Sequence, residues 1–338
     1  MIKIIVDCFG GDRSPGANVE GGIIALSMFK DLYIIFTGDS DLIEAELSKF
    51  TYDKDRVEVV HAPEVIGCDE KPTIAIRTKK ESSMVKGINM LRTDDTIAGM
   101  VSTGSTGALV ASAVLRVGRL KGVTRPAFCP ILPTMNGSVV GICDSGANVD
   151  CTPELLRQFA IMGSLYMQKV HGVDNPRVAQ LNVGVEAEKG DILHKEAYAL
   201  LSQTDSINFV GNMESRDLLS GKFDLITCDG FSGNVLVKTT EGACLEMLKM
   251  LKKDIMSKAQ YKFGALFLKS MFDKEKEFFN YQNYGGSVML GTKKIIVKGH
   301  GSSNATCVAK CIEQAYRMEN GKINEAIENA LAKEESEV

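Results

Sequence analysis

The chain lacks the excess of basic residues that a nucleic-acid-binding surface requires. It has 39 Lys and Arg against 43 Asp and Glu, a formal net charge of −4, whereas such surfaces carry clustered positive charge. Long hydrophobic runs are also missing, because no apolar stretch reaches the ~20 residues that span a bilayer. We therefore expect no nucleic-acid partner and no membrane-spanning segment.

Paired cysteine motifs are absent as well. None of the nine cysteines forms a C-x-x-C pair, which favours reduced thiols in a cytoplasmic protein over a disulfide framework. Cys307 and Cys311 lie on a predicted helix without a nearby histidine, so we expect no metal site. The apolar run at residues 2–6 is too short for a signal peptide and predicts a first strand.

Several familiar motifs cannot be found. The sequence has no GxxxxGK[ST] phosphate loop, no GxGxxG after the first strand, no HExxH and no GxSxG. These absences argue against P-loop ATP hydrolysis, a standard dinucleotide site, a zinc protease and a serine hydrolase of the common type.

What is present is an alternation of strands and helices. Of the 338 residues, 44% are hydrophobic and 24% charged, which is typical of a globular protein. Strands are predicted at residues 2–6, 32–37, 57–60, 96–101, 126–134, 138–143, 177–183, 207–210, 225–228 and 294–297. Helices are predicted at 15–30, 72–92, 108–115, 152–169, 191–202 and 231–280. This order indicates an α/β protein with a mainly parallel sheet covered on both faces, which we read as one domain over 1–338.

Glycine-rich turns recur where the predicted strands end. In a parallel sheet the carboxyl ends of the strands share one edge, where ligands bind. Several such turns together predict a broad anion-binding cleft. The candidate phosphate or substrate ligands are Gly10, Gly11, Asp12, Thr103, Gly104, Ser105, Thr106, Gly107, Asp144, Gly146, Asn148, Gly230, Ser232, Gly233 and His300.

The stretch 101–110 is the strongest of these turns. A strand, a Gly/Ser/Thr turn and a helix in this order place unpaired N–H groups and the positive end of the helix dipole at the turn. A tight turn with a Ser or Thr helix cap is the alternative interpretation.

Other candidates also carry two interpretations. Asp12 is either an anion-site residue or a helix cap. The group around Asp144 and Asn148 either coordinates a cation or satisfies its own turn. Lys189 is either a solvated lysine or a charge that holds a phosphate. Asn234 either caps a helix or donates to a developing oxyanion.

The segment 235–280 differs from the rest of the chain. It is predicted as a long helical hairpin with a turn at Gly264. Between residues 249 and 269 there are six lysines and one acid. Apolar side chains with a lysine fringe are typical of a helix on an anionic membrane, although packing on the body or on a second subunit is the alternative. The expected contact residues are Lys258, Lys262, Phe263, Leu266 and Phe267.

Seven motifs in order resemble the phosphate acyltransferase (PlsX) family. They are DCFGGD at 7–12, VSTGSTGA at 101–108, DSGANVD at 144–150, LNVG at 181–184, DGFSGN at 229–234, YGG at 284–286 and HGSS at 300–303. The chain departs from the usual family letters at 8–9, 103–105 and 145. Ser105 stands where the family has asparagine, which weakens any requirement for an amide there.

The resemblance implies a Rossmann-like three-layer α/β/α fold, akin to isopropylmalate dehydrogenases and phosphotransacetylases, in a homodimer. It implies transfer of an acyl group from acyl carrier protein to inorganic phosphate, for phospholipid synthesis, without a cofactor. Lys189 and Asn234 would be the catalytic residues. The hairpin would be a peripheral anchor on the inner face of the cell membrane.

Two other functions remain open from the sequence. One is a coenzyme A-dependent phosphotransacetylase or a dehydrogenase on a related fold. The other is a membrane-surface protein that binds the carrier without chemistry. The acidic carrier protein would dock on basic residues at 77–86 or on the hairpin lysines.

Overall fold

The computed structural model describes residues 1–278 and 281–337. Its strands form two sheets. The strands are β1 (Ile2–Asp7), β2 (Leu32–Gly38), β3 (Val57–His61), β4 (Ile97–Ser102), β5 (Ala127–Cys129), β6 (Ile131–Pro133), β7 (Val139–Cys143), β8 (Arg177–Asn182), β9 (Asn208–Glu214), β10 (Leu225–Thr227), β11 (Ser287–Leu290) and β12 (Ile295–Lys298).

The helices flank these sheets. They are α1 (Gly16–Met28), α2 (Ser40–Leu47), α3 (Pro72–Thr78), α4 (Ser83–Thr93), α5 (Thr106–Ser112), α6 (Pro153–His171), α7 (Ile192–Ser202), α8 (Gly230–Ser257), α9 (Ala259–Phe267), α10 (Lys269–Phe278), α11 (Ala305–Asn320) and α12 (Ile323–Glu337). A π-helical turn, Ala113–Val117, prolongs α5, and short 3-10 turns lie at Lys54–Arg56, Ser215–Ser220 and Tyr281–Tyr284.

The first sheet has the order β3-β2-β1-β4-β12-β11-β5. It is parallel except at β11, which runs antiparallel to both β12 and β5. Successive side chains of a strand point to opposite faces, and those of β1 enter two different cores: Ile4 belongs to one cluster and Ile5 to another. This sheet is therefore buried on both faces, as its β-branched runs predict.

The second sheet has the order β6-β7-β10-β8-β9 and is parallel except at the β6–β7 hairpin. Helix α6 packs with both sheets, because Phe159 shares one core cluster with Leu225 of β10 and Val288 of β11. The predicted α/β fold with a mainly parallel arrangement is confirmed. The structure divides the predicted single sheet into two.

Pro130 marks the crossing between the sheets. The single strand predicted at 126–134 is wrong: β5 before Pro130 pairs with β11, and β6 after it pairs with β7. Proline has no N–H to continue a ladder, so it interrupts strand pairing. The predicted Asn-Gly turn at 135–137 is confirmed, with Gly137 at φ +82°.

Two further predictions differ from the structure, and one strand has no counterpart in the predictions. The helix predicted at 72–92 is interrupted, and Ser82 caps α4 by accepting the N–H of Val85 at 3.3 Å. Strand β11 was not predicted. Gly264 lies inside α9 and does not mark the predicted turn.

The helical segment after β10 bends at two other places. Lys258 is extended, with φ −134° and ψ 147°, between α8 and α9, and Leu268 separates α9 from α10. Residues 279 and 280 of the predicted hairpin lie outside the described residues. Within the described part of the chain, none of the helices is both long and apolar enough to cross a membrane.

Candidate active site

Turns at the carboxyl ends of β1, β4 and β12 touch one another. Gly10 has φ +100°, and a Cβ there would lie 2.9 Å from the Cα of Gly104. The N–H of Asp12 donates to the carbonyl of Gly301 at 2.8 Å. The structure thus brings three of the predicted turns together at one edge of the first sheet.

The turn after β4 is held by short polar side chains. Ser105 caps α5 by accepting the N–H of Ala108 at 3.4 Å. Ser102 accepts the N–H of Gly104 at 3.1 Å and donates to Asp7 at 2.7 Å. Serine and asparagine are equivalent helix caps, so the capping role accounts for serine at position 105.

Asp7 is a buried carboxyl group behind this turn. Its side chain is 1% exposed. Burial raises its pKa to about 6, and hydrogen bonds, including the one from Ser102, offset part of that rise.

The Asp144 loop of the second sheet supports the turn interpretation over a cation site. The carboxylate accepts N–H groups from Phe128 at 2.8 Å, Ser145 at 2.6 Å and Asn148 at 2.6 Å. Burial raises the pKa of Asp144, although the hydrogen bonds from Phe128 and Asn148 oppose that rise. A carboxylate whose lone pairs face protein N–H groups has little capacity left for a metal ion.

Asp229, not Asn234, caps α8. The Asp229 carboxylate accepts the N–H of Ser232 at 2.8 Å, so the capping interpretation of Asn234 is wrong. Asn234 lies one turn into the helix, where its amide nitrogen would be 3.0 Å from a Cβ at Gly146. The capping interpretation of Asp12 is also wrong, because Pro15 occupies the cap position of α1.

Two glycines allow α8 to approach the Asp144 loop. A Cβ at Gly230 would lie 2.6 Å from the Asn148 carbonyl oxygen, and one at Gly233 would lie 2.0 Å from the Asp144 carbonyl oxygen. Glycine is needed at both positions because backbone atoms occupy the space of a side chain. Their role is to place the start of α8 against the loop.

A cavity of about 240 Å³ lies between the two sheets. Its lining combines polar and charged groups with apolar side chains from the crossing at Pro130. The lining residues are Thr106, Phe128, Pro130, Ile131, Leu132, Ser145, Asn234, Val237, Lys238, Glu241, Gly285, Gly286, Ser287, Lys298, Gly299, His300 and Gly301.

Three of the predicted site residues line this cavity: Thr106, Asn234 and His300. The other candidates at the turns are not among the lining residues. They are Gly10, Gly11, Asp12, Thr103, Gly104, Ser105, Gly107, Asp144, Gly146, Asn148, Gly230, Ser232 and Gly233.

Lys189 is not among the cavity-lining residues. It lies on the exposed loop between β8 and α7, where its carbonyl accepts the side-chain N–H of Asn182 at 3.1 Å. A Cβ at Gly184 would lie 3.0 Å from the Lys189 Cγ, so the lysine stem folds over its own loop.

The His300 ring lies at this cavity. Its Nδ1 accepts the N–H of Ser302 at 3.3 Å. Burial lowers its pKa, and Lys238 lowers it further.

Sequence reasoning missed Lys238, Glu241, Ser287 and Lys298. Signals for two of them were available. Lys238 follows Asn234 by one helical turn, and Lys298 ends a strand directly before a glycine-rich turn. Among the side chains that the structure describes, no three His, Cys, Asp or Glu groups meet as metal ligands do.

This three-layer arrangement with a cleft between two sheets is the phosphotransacetylase fold. The structure matches a phosphotransacetylase from Streptococcus pyogenes with a TM-score of 0.60 and 16% identity, covering 94% of each chain. It matches a branched-chain phosphotransacylase from Enterococcus faecalis with a TM-score of 0.56 and 14% identity, covering 94% of this chain and 100% of the other.

Sequence comparison identifies the family. Residues 2–326 match the model described as "Fatty acid synthesis protein". The phosphate acyltransferase of Clostridium acetobutylicum is 44% identical over 97% of this chain and 98% of its own. That of Clostridium botulinum is 45% identical over 97% of each chain. The chain belongs to the phosphate acyltransferase family and is an acyltransferase.

Proposed function

We propose that the chain transfers the acyl group of an acyl carrier protein thioester to inorganic phosphate. A phosphate oxygen bonds to the thioester carbonyl carbon, and the carbon–sulfur bond breaks. The proton lost by hydrogen phosphate goes to the carrier thiolate, so the products are acyl phosphate and free carrier thiol. The acyl phosphate then serves phospholipid synthesis.

The mixed lining of the cavity is the observation that carries this proposal. Lys298, His300 and Lys238 supply cationic and N–H groups, which suit a phosphate. Phe128 and Ile131 supply apolar surface, which suits the start of an acyl chain. A site of this kind holds nucleophile and thioester together, and fixed orientation is the main advantage for a weak nucleophile such as phosphate.

Asn234 and Lys189 are the proposed catalytic residues. The Asn234 amide, at the cavity, donates to the oxyanion formed when the carbonyl is attacked. Lys189, on its exposed loop, reaches the substrate phosphate or carbonyl once the substrate is bound. No covalent enzyme intermediate is required.

Phosphate-dependent release of thiol from a long-chain acyl carrier protein tests the reaction. We expect no thiol without phosphate, no change in nicotinamide absorbance, and slower release from the matching acyl-coenzyme A. Faster turnover of acyl-coenzyme A would favour the phosphotransacetylase function, for which the shared fold is the supporting observation. Thiol release that is indifferent to phosphate would refute the proposal.

Variants of the two catalytic residues test their roles. N234A, and the isosteric N234D that cannot donate, should each lower kcat by about 10²–10³-fold, as the loss of one oxyanion donor does. K189A should lower turnover sharply, whereas K195A, which removes an exposed lysine of α7, should not. All variants should unfold at the wild-type temperature, because the side chains at 189, 195 and 234 are exposed. Near-normal activity in N234A and K189A would refute the assignment.

The helical segment α8–α10 is the proposed membrane contact. Phe263, Leu266 and Phe267 are 65%, 68% and 76% exposed, and Lys258 and Lys262 lie beside them. Such a surface gains membrane affinity from insertion of its apolar side chains and from attraction to anionic lipid.

We further propose a single catalytic domain over 1–338 in a homodimer at the inner face of the cell membrane.

We propose that the hairpin lysines beyond Lys249, which itself pairs with Glu246 at 2.7 Å, receive an acidic carrier protein. In the other candidate region, Lys79 pairs with Glu70 at 2.6 Å and Lys86 with Glu81 at 3.0 Å. Carboxylates already neutralise these two charges, so they offer less attraction to a partner.

A further inference from the structure

Lys298 is a nearly buried lysine at the end of β12. Its side chain lines the cavity, and the residue is only 9% exposed. The ammonium donates to the carbonyl of Gly299 and, at 3.5 Å, to that of Thr103. An ammonium group has three protons, so these two carbonyls leave one for a ligand in the cavity.

Strand register places Lys298 in a row of three polar residues. Lys298 is the partner of Ser102 across β12 and β4, and Ser102 is the partner of Asp7 across β4 and β1. Asp7 accepts the Ser102 hydroxyl at 2.7 Å and the N–H of Phe9 at 3.3 Å. The Asp7 carboxylate therefore lies one strand farther from Lys298 than Ser102 does. It is a more distant counter-charge to the Lys298 ammonium.

Burial of this ammonium is unfavourable without an anion. Burial lowers the pKa of Lys298, and Asp7 opposes that change. A buried charge is stable when it is paired, and carbonyl oxygens solvate it only in part. The arrangement in the protein alone therefore leaves part of the Lys298 charge uncompensated.

The second lysine at the cavity is already paired. Lys238 donates to Glu241 at 2.8 Å, and both lie on α8. Among the ion pairs of the described chain, none includes Lys298. Of the two, Lys298 is the lysine whose charge remains for an anionic substrate.

We propose that the ammonium of Lys298 binds the phosphate nucleophile and holds it at the edge of the first sheet. A charge-assisted hydrogen bond to phosphate is short and strong, and it is stronger in a partly buried site than in water. This inference rests on the proposed reaction and adds the residue that selects the nucleophile. Lys298 contributes binding and orientation and exchanges no atoms with the substrate.

K298M tests the proposal, with K294M as the matched control. Lys294, just before the same strand, also donates to two carbonyls, those of Asp95 at 3.2 Å and Ile97 at 2.9 Å, but it lies at the opposite end of β12. We expect K298M to raise KM for phosphate about 10- to 100-fold while KM for the acyl carrier protein changes less than twofold. K294M should leave both constants unchanged.

Direct binding separates this inference from the proposed reaction. Calorimetric titration with inorganic phosphate should show binding to the wild type and K294M and at least tenfold weaker binding to K298M. K298R keeps the charge and should recover most of the affinity. If K298M does not fold, K298Q replaces it, with the same loss expected.

Two results have distinct meanings. Unchanged phosphate KM and affinity in folded K298M or K298Q, with an active wild type, would overturn the role of Lys298. A stability loss with equal effects on both KM values would also overturn it, because that pattern indicates a structural residue. A wild type without phosphate-dependent thiol release would overturn the proposed reaction itself.

Discussion

The buried carboxyl group of Asp7 connects the first turn to the turn after β4. Ser102 donates to it at 2.7 Å and accepts the N–H of Gly104 at 3.1 Å. A Cβ at Gly104 would lie 3.5 Å from the Asp7 carboxylate, so the turn passes directly over the acid. One buried group thus holds the first turn and the turn after β4 together.

The raised pKa of Asp7 predicts a pH-dependent stability difference between wild type and D7N. The pKa is about 6 in the fold and about 3.9 when unfolded. Between these values the folded state binds more protons, so the contribution of Asp7 to stability falls as pH rises from about 4 to 6. Relative to D7N, the wild type should lose roughly 2 kcal/mol of unfolding free energy from pH 4 to pH 7.

Urea unfolding of both proteins at several pH values measures this difference. D95N serves as the control, because the side chain of Asp95 is fully exposed. If the difference in unfolding free energy between wild type and D7N stays constant from pH 4 to pH 7, the fold does not raise the pKa of Asp7.

At the level of elements, the close approach of α8 to the Asp144 loop positions Asn234. Gly233 meets the Asp144 carbonyl, where a Cβ would be 2.0 Å away. Asp229 caps the helix at the same place. Glycines before Asn234 therefore determine how far the amide extends toward the cleft.

G233A should destabilise the protein, whereas G242A in the same helix should not. Overpacking against backbone costs about 1–3 kcal/mol, and displacement of Asn234 should lower kcat as well. Nothing lies within 4 Å of a Cβ at Gly242, so alanine there should stabilise by about 0.5–1 kcal/mol. Thermal unfolding and thiol release measure both effects. Equal stability of the two variants would contradict the close-packing explanation.

In the whole molecule, the cleft and the exposed helices α8–α10 have separate tasks in the proposed function. Helix α8 begins at the cavity with Asn234 and continues into a segment whose apolar side chains are exposed. Phe263 and Phe267 pack edge to face, with ring centroids 5.5 Å apart. Substitutions in this pair should affect membrane association without changing the chemistry.

F267E should weaken binding to vesicles that contain anionic lipid. Burial of one large apolar side chain is worth about 1.5–3 kcal/mol, which predicts roughly 10- to 100-fold weaker association. Phosphate-dependent thiol release in solution should stay unchanged. M135E alters another exposed side chain, 66% exposed, and should bind vesicles like the wild type. Vesicle flotation measures the effect, and undiminished flotation of F267E would refute the membrane contact.

The features that the sequence predicted are those that depend on neighbours along the chain. Short apolar runs, the Asn-Gly turn at 135–137 and the serine at 105 each act through residues a few positions away. The α/β alternation, the turns at strand ends and seven motifs were sufficient for the fold class and the family. The capping interpretations of Asp12 and Asn234 were wrong because another residue a few positions away, Pro15 or Asp229, already holds the cap position.

Only the tertiary structure decided which side chains face the same cavity. Lys298, Ser102 and Asp7 come from three strands that are far apart in the sequence but adjacent in the sheet. The register of these strands places the three residues in one row. The break at Pro130 sends one predicted strand into two sheets and so brings apolar residues of both into the lining of the cleft. Burial, charge compensation and strand order depend on the assembled sheets, so no local pattern in the sequence carries them. The local sequence therefore determined the turns. Packing between strands that are far apart in the sequence determined which positive charge remains for the substrate.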